Sequence, residues 1–542
     1  MNYFNVTKYD DSLYQIQDKL GVLSTLVIGS KKAILFDTGY GFGDLKGEVE
    51  KLTDKELIVI NSHGHMDHSS GNYQFNEVFI SPLDIDLCIK HNGVDRRKRN
   101  VEELKRVLPS FISENNFNEE EYINKGWGNI IPLTDDVIDI GEEVCVINME
   151  GHTKGSIGLF FPKRKLLLAS DACCPFVWLF LKESLPLSKY IKMVERTLKL
   201  DFDNFLVGHG ARMFPKSKMS DFLNVAKSVD LKKSVKVSFG GFEDLNPHCF
   251  TFGKMYDQND CGVVFDPSKI IDTYYDQHMH SSFSADSQED LENYCKVALK
   301  DSVDYICTCE HFDYLTVVDG TTWIADYPKL ISYHKELKEK YPDLNFLLGV
   351  ELGYKRICFD KMVELSNKYP FDIIQLSIHD NNKWDYYFPN AFLGQEVESM
   401  NEYFDLMSEV LERFSNFDVL SHIDFGFKTL KMMDKKWEFN LWDKQIRKIL
   451  TKIIEMDKAF EINTKVQEVI HDIDGDDHHI KYLLSLYKEL GGHKVTLSSD
   501  AHTVGKYRNL FSKYMGLLKS YGFNELSFFI QRKEFKYLIK QQ

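Results

Sequence analysis

Three imidazoles and a carboxylate fall within six residues at His63-Gly64-His65-Met66-Asp67-His68. A lone histidine is usually an ordinary core or surface residue. At this density the side chains offer nitrogen and oxygen ligands on one tight loop, which suits zinc or a similar metal ion. More such groups follow in Gly151-His152-Thr153, Ser170-Asp171-Ala172 and Gly208-His209-Gly210. A second constellation occupies the other half of the chain. It starts at Asp276-Gln277-His278-Met279-His280, where residues 278 and 280 project to the same side of an extended segment. Asp286, His311, Glu351, His379, His422, Asp500 and His502 extend it to six imidazoles and three carboxylates. His334, His471, His478, His479 and His493 lie on helical or loop segments and are expected at the surface.

Strand ends must carry these groups. Near the start, TLVIGSKKAILFDTGYG reads as two short strands around a turn, and ELIVINS as a buried strand leading into His63. The Gly-, Asn- and Asp-rich stretch from about residue 230 to 270 reads as short strands and turns closing a first domain, with the boundary near Ser268. Beyond it, apolar runs alternate with amphipathic helices, the signature of parallel βα units. Seven runs can be counted: DTYYDQHMH, DYICTCEH, LNFLLGVELG, FDIIQLSIH, FDVLSHID, KAFEINT and KVTLSSDAH. Each finishes in or near a polar residue, and in a closed parallel barrel those ends share one face. Ser287 and Asp290, in capping-box spacing, predict a helix that follows with Leu291, Tyr294 and Ala298 on one side.

The first set resembles the metallo-β-lactamase superfamily, whose HxHxDH motif, later His, bridging Asp and final His are matched in order over residues 1–268. The resemblance implies an α/β protein beginning with an αββα sandwich. It also implies two divalent metals (Zn, Fe or Mn), one on His63, His65 and His152 and the other on Asp67, His68 and His209, with Asp171 bridging and Asp37 behind them. Lys154 and Ser170 stand where the superfamily often has Pro and Gly, and neither is a ligand position. Such a centre favours hydrolysis, because paired ions lower the pKa of water and polarise the scissile bond. Thioesters, esters, lactones and phosphodiesters all remain open as substrates. DACCPFVWLFLKES, from Asp171 onward, reads as core or as an apolar substrate wall.

The second set resembles the polymerase and histidinol phosphatase (PHP) superfamily, in its histidinol-phosphatase branch, over residues 269–542. HxHSxxSxDS, xEHFDY, GVELG, SIH, HID and SDAH occur in that family's order. A distorted (β/α)7 barrel with three divalent metals (Zn, Mn or Fe) is implied. His278, His280, Glu351 and Asp500 would hold one, Glu351, His379 and His422 another, and Asp286, His311 and His502 the third. Asp67, Asp171, Glu351 and Asp500 are then the carboxylates expected at the two reacting centres. Three ions held by three carboxylates leave positive charge suited to a phosphomonoester, attacked by metal-activated hydroxide. Where that branch commonly has arginines to clamp phosphate, this chain offers Lys428 and Glu468, with Lys465, Lys506 and Arg508 as further candidates.

A formal net charge of −16 disfavours nucleic-acid partners, which need a cationic footprint. No stretch is apolar enough to span a bilayer, the N-terminus lacks signal-peptide character, and the ten cysteines follow no zinc-knuckle spacing, so small-molecule substrates and a cytoplasmic location are expected. The expected function is a bifunctional metal-dependent hydrolase: a histidinol-phosphate phosphatase joined to a binuclear hydrolase of unassigned substrate. The alternatives are a nucleotide phosphatase or exonuclease in the second half, or one half kept as a regulatory module.

Overall fold

The computed structural model describes residues 3–540 except 116, 258, 318, 389 and 390. The chain divides into two compact units, Met1–Lys269 and Ile270–Gln542. Among the described residues, no helix is long and apolar enough to cross a membrane. All ten cysteines are free thiols, most of them buried.

In the first unit, strands Leu23–Ile28 and Ala33–Phe36 pair antiparallel, and Leu57–Ile60 joins in parallel. They are central strands of a seven-stranded sheet, which faces a six-stranded sheet built around Ile157–Phe161 and Leu166–Leu168. Val27, Ile34, Phe36 and Ile60 from the first sheet pack against Ile157, Leu159, Phe161 and Leu168 from the second. Each such side chain contributes roughly 1.5–3 kcal/mol on burial. On the outer face, Leu26, Leu35 and Val59 pack against Leu45, Val49, Val101 and Leu104 of helices Leu45–Glu50 and Val94–Val107. This is the expected αββα sandwich. The stretch from 235 to 265 forms three strands that join Phe176–Leu179 in a small separate sheet.

In the second unit the strands Tyr305–Asp313, Asn345–Gly353, Ile373–Ser377, Val419–Leu420, Ala459–Asn463 and Val495–Ser498 are parallel and adjacent in that order. All are buried, as parallel strands covered by helices must be. The run DTYYDQHMH, expected as a strand, is irregular. It closes the ring through a single parallel bridge, Met279 to Ala501. The Cys309 amide donates to the Met279 carbonyl (2.9 Å) and the His280 amide to the Ala501 carbonyl (2.8 Å). Helix Leu291–Lys300 buries Leu291, Tyr294 and Ala298 as expected, but Asp290 alone caps it, accepting the Glu292 amide at 2.8 Å. The Ser287 hydroxyl is turned instead to the His502 carbonyl at 3.0 Å. Two histidines expected at the surface are buried: His334 beside Thr308 (3.2 Å) and His479 against Asp424 (2.8 Å). Their helices pack against the sheet, and each ring found a polar partner there.

Two candidate metal centres

In the first unit the loop after strand Leu57–Ile60 brings His63 Nε2 and His152 Nε2 each to 3.0 Å from His65 Nδ1. The opposite nitrogen of each ring is already committed. His63 Nδ1 lies 2.8 Å from the Ser62 hydroxyl, whose own proton goes to Asp37 at 2.8 Å. His65 Nε2 donates to Glu183 (2.8 Å), and His152 Nδ1 to the Trp178 carbonyl (2.8 Å). Protons held outward leave three lone pairs converging at contact distance, an arrangement that repels unless a cation sits among them. Burial together with the neighbouring imidazoles holds His63 well below the usual histidine range, and burial pushes His152 down to about 4, so both rings are neutral, as metal ligation would require.

Next to this trio, Asp171 Oδ2 lies 3.4 Å from His68 Nε2, 3.2 Å from His209 Nε2 and 3.9 Å from His152 Nε2. Asp67 Oδ2 is 3.5 Å from both His68 and His209. Asp171 thus stands between the two groups. Although burial pushes its carboxyl up, His209 and His68 hold it well below the usual carboxylate range. His68 Nε2 and Asp171 Oδ1 are buried with no hydrogen-bond partner among the described residues. A Cβ on Gly208 would stand 2.3 Å from Asp171 Oδ1, so only glycine fits beside it. Asp37 accepts from the Ser62 amide (2.7 Å), His68 Nδ1 (2.9 Å) and the Ser170 hydroxyl (2.8 Å). Asp37 and Ser170 both adopt left-handed backbone (φ 72° and 44°), strain that surrounding structure must hold in place.

In the second unit Glu351 is the hub. Its Oε2 lies 3.2 Å from His278 Nε2, 3.6 Å from His280 Nε2 and 3.0 Å from His311 Nδ1. Its Oε1 lies 3.0 Å from His379 Nε2 and 2.7 Å from His422 Nε2. Asp286 Oδ2 joins His311 Nε2 (3.4 Å) to His502 Nε2 (2.8 Å), and Asp500 Oδ1 is 3.3 Å from His280 Nε2. The nine predicted ligands therefore converge. His278 Nε2, His280 Nε2 and Glu351 Oε2 are buried without hydrogen-bond partners among the described residues, as groups aimed at ions would be.

The four cations considered for phosphate part company. The Lys465 ammonium lies 3.3 Å from Asp500 and 3.2 Å from His502. Lys428 is buried, 4.1 Å from the Phe425 ring centre, and that ring packs on His422. Burial, with the charge of Lys465 beside it, pushes Lys428 down to about 8. Lys506 is paired instead with Glu468 (2.8 Å) and Arg508 with Asp301 (3.4 Å), so carboxylates outside the predicted ligand set hold both.

Sequence reasoning placed Asp37 behind the ligands, where it meets His68, but missed the other groups there. Asp313, two residues beyond His311 on the same strand face, accepts from His379 Nδ1 at 2.9 Å and lies 3.2 Å from His311 Nδ1. Asp84 ties two ligand loops together, accepting from the Gly64 amide (2.9 Å), the Thr153 hydroxyl (2.7 Å) and the Gly155 amide (2.7 Å). Glu183 and Glu461 play the same part, under His65 and His278. The strand period exposes Asp313 and Glu461; Asp84 and Glu183 sit in segments with no signal.

Residues 18–212 match the model of the metallo-beta-lactamase superfamily and residues 276–465 that of the PHP domain. A histidinol-phosphatase from Lactococcus lactis is 27% identical over 257 residues, 47% of this chain and 93% of that protein. A probable histidinol-phosphatase from Clostridium acetobutylicum is 30% identical over 232 residues, 42% of this chain and 86% of the relative. The first unit is similar to a human acyl-coenzyme A thioesterase, 26% identical over 161 residues, 27% of this chain but only 56% of that enzyme. The chain is a metal-dependent hydrolase that belongs to the PHP domain family through its second unit, and its first unit is similar to the metallo-beta-lactamase superfamily.

Proposed function

We propose that the second unit removes phosphate from a small phosphomonoester, with histidinol phosphate the first candidate, and that the first unit is an independent hydrolase of an ester, thioester or lactone. The observation that carries the phosphatase reading is the pairing of the Glu351 hub with two lysines, Lys428 and Lys465, at one end of the barrel. The two histidinol-phosphatase relatives, matched over nearly their whole length, supply the substrate candidate.

His278, His280, Asp286, His311, Glu351, His379, His422, Asp500 and His502 would hold three divalent ions, and His63, His65, Asp67, His68, His152, Asp171 and His209 two. Bound there, such ions supply Lewis acidity toward the ester oxygen and toward water. The chain's own residues do the rest. Lys465 and Lys428 present positive charge to the phosphoryl oxygens, as point charges rather than forks. Asp313 and Glu461 hold the ligand rings in fixed tautomers, so that no side chain reorganises as charge develops. No side-chain nucleophile is required. The net charge of −16 supports small substrates over nucleic-acid partners.

Phosphate release from histidinol phosphate, nucleoside monophosphates and single-stranded DNA, measured side by side, tests this. Preferred turnover of histidinol phosphate is expected. Preferred turnover of either nucleic-acid substrate would assign the unit a nucleotide-directed activity instead.

A further inference from the structure

Just past strand Ile373–Ser377 the chain turns back on itself at His379, on the end of the barrel that carries the candidate ligands. The Tyr386 amide donates to the His379 carbonyl (2.8 Å) and the Asn381 amide to the Trp384 carbonyl (3.1 Å), so residues 379–386 form a tight hairpin. Its base is held by the buried Lys355–Asp380 pair (2.6 Å), and the Tyr386 hydroxyl donates to the Ser399 carbonyl (3.1 Å). Tyr387, the next residue, is fixed on both sides. Its amide donates to Asp385 at 2.8 Å, and its carbonyl accepts from the Thr429 hydroxyl at 3.4 Å.

Stacked rings connect Tyr387 to the centre. Its ring lies 6.4 Å from that of Phe425, with 28° between the planes. Phe425 in turn stands 4.9 Å from His422 and 5.4 Å from His379, the two candidate ligands that lie 2.7 Å and 3.0 Å from Glu351. The Lys428 ammonium lies over both rings, 4.1 Å from the centre of Phe425 and 5.2 Å from that of Tyr387. Phe425 and Lys428 are buried, yet Tyr387 is 53% exposed. An isolated exposed aromatic needs no explanation. This one is pinned through its main chain, one ring away from two candidate ligands and beside the cation assigned to phosphate.

Aromatic faces stack preferentially on other planar rings, and a platform ordered beforehand loses little entropy when a ligand settles on it. We propose that Tyr387 is a specificity-determining platform of the second unit, stacking a planar ring on the alcohol side of the phosphomonoester while Lys428 faces the phosphoryl group. The substrate class is then a phosphate ester of a small alcohol that carries an aromatic or heteroaromatic ring a short linker away from the ester oxygen. Phe425, buried between Tyr387 and the two ligand rings, sets the separation between stacked ring and reacting centre. Aliphatic esters of equal length forgo the stacking. This deepens the phosphatase reading of that unit and rests on it.

The test is hydrolysis of 3-phenylpropyl and 3-cyclohexylpropyl phosphate by the full-length zinc-loaded chain. The two esters share charge and linker and differ in the planarity of the ring. Wild type is expected to show about fivefold higher kcat/KM for the phenyl ester, carried by KM because the ring is stacked in ground and transition state alike. Tyr387→Phe should keep that preference. Tyr387→Leu, which leaves an apolar side chain over Phe425 but removes the flat face, should bring the two esters within about twofold. Equal kcat/KM in wild type, a preference that survives Tyr387→Leu, or one already lost in Tyr387→Phe overturns the proposal. Calorimetric binding of both esters to wild type and Tyr387→Leu, followed in parallel, separates the two readings. A phenyl preference in binding that Tyr387→Leu removes, without phosphate release from either ester or from histidinol phosphate, would remove the phosphatase assignment and leave the platform standing.

Discussion

Glu461 accepts a hydrogen bond from His278 Nδ1 at 2.8 Å and, through its other oxygen, one from the His422 amide at 2.8 Å. One carboxylate thus sets the tautomer of one ligand and the backbone position of another. Ser498 donates to it from the neighbouring strand.

Substituting Glu461→Gln removes the charge and keeps the shape. Affinity of the second unit for divalent metal is expected to fall about 10–100-fold, the usual consequence of losing a carboxylate behind a ligand histidine. Competition with a chromophoric chelator reads it directly. Unaltered affinity would show that His278 orients itself.

Lys428 gives the proposed phosphatase a pH signature. Its pKa of about 8 lies below the ordinary value of 10.5, so the cation is present below pH 8 and is lost as pH rises through that point. kcat/KM for a phosphomonoester should decline above pH 8 through a rise in KM, and Lys428→Arg should remove the decline. Lys428→Met is expected to cost about tenfold or more in kcat/KM at pH 7, by loss of a charge-assisted contact worth about 1.5–3 kcal/mol.

Metal counting and single-site variants address independence. Purified protein is expected to hold about five divalent ions per chain, as metal binding follows ligand number. His63→Ala should lower the count by about two and leave phosphate release intact, and His278→Ala should abolish that release. Phosphatase loss in His63→Ala would tie the two units together functionally.

Arg97→Met should destabilise the first unit by about 2–4 kcal/mol, because the buried Ser70 and Asn92 carbonyls lose their donor. Thermal unfolding followed by calorimetry would register it as a lowered transition for that unit.

The convergence of the candidate ligands was legible because their residue types repeat at strand ends. His278 and His280 both reach Glu351 although their run is not a regular strand, and the ends of the βα runs brought Glu351, His379, His422 and Asp500 together. What could not be read was whatever depends on a side chain's free end. Lys428 was the first phosphate candidate in sequence and Lys465, Lys506 and Arg508 its substitutes, yet Glu468 and Asp301 hold the last two. His479 sits on a polar-looking helix start but is drawn inward by Asp424. Glu183, in a segment read for its aromatics, gave no sign of its bond to His65. The first barrel run had a strand's composition, but ladder pairing depends on neighbours that local pattern does not specify.

That run carries a wider implication. The stave bearing His278 and His280 is joined to the barrel by an isolated bridge, with one main-chain bond to each side near Met279. Side chains hold it too, through Gln375 to the Gln277 carbonyl (2.7 Å), the Ser499 amide to Asp276 (3.1 Å) and the Phe529 amide to Gln277 (2.9 Å), and the ions its histidines would share with Glu351 and Asp500 would add a further tie. Metal loss is then expected to remove one tie among several at that stave, which hydrogen exchange of its amides with and without a chelator would read as a local loss of protection.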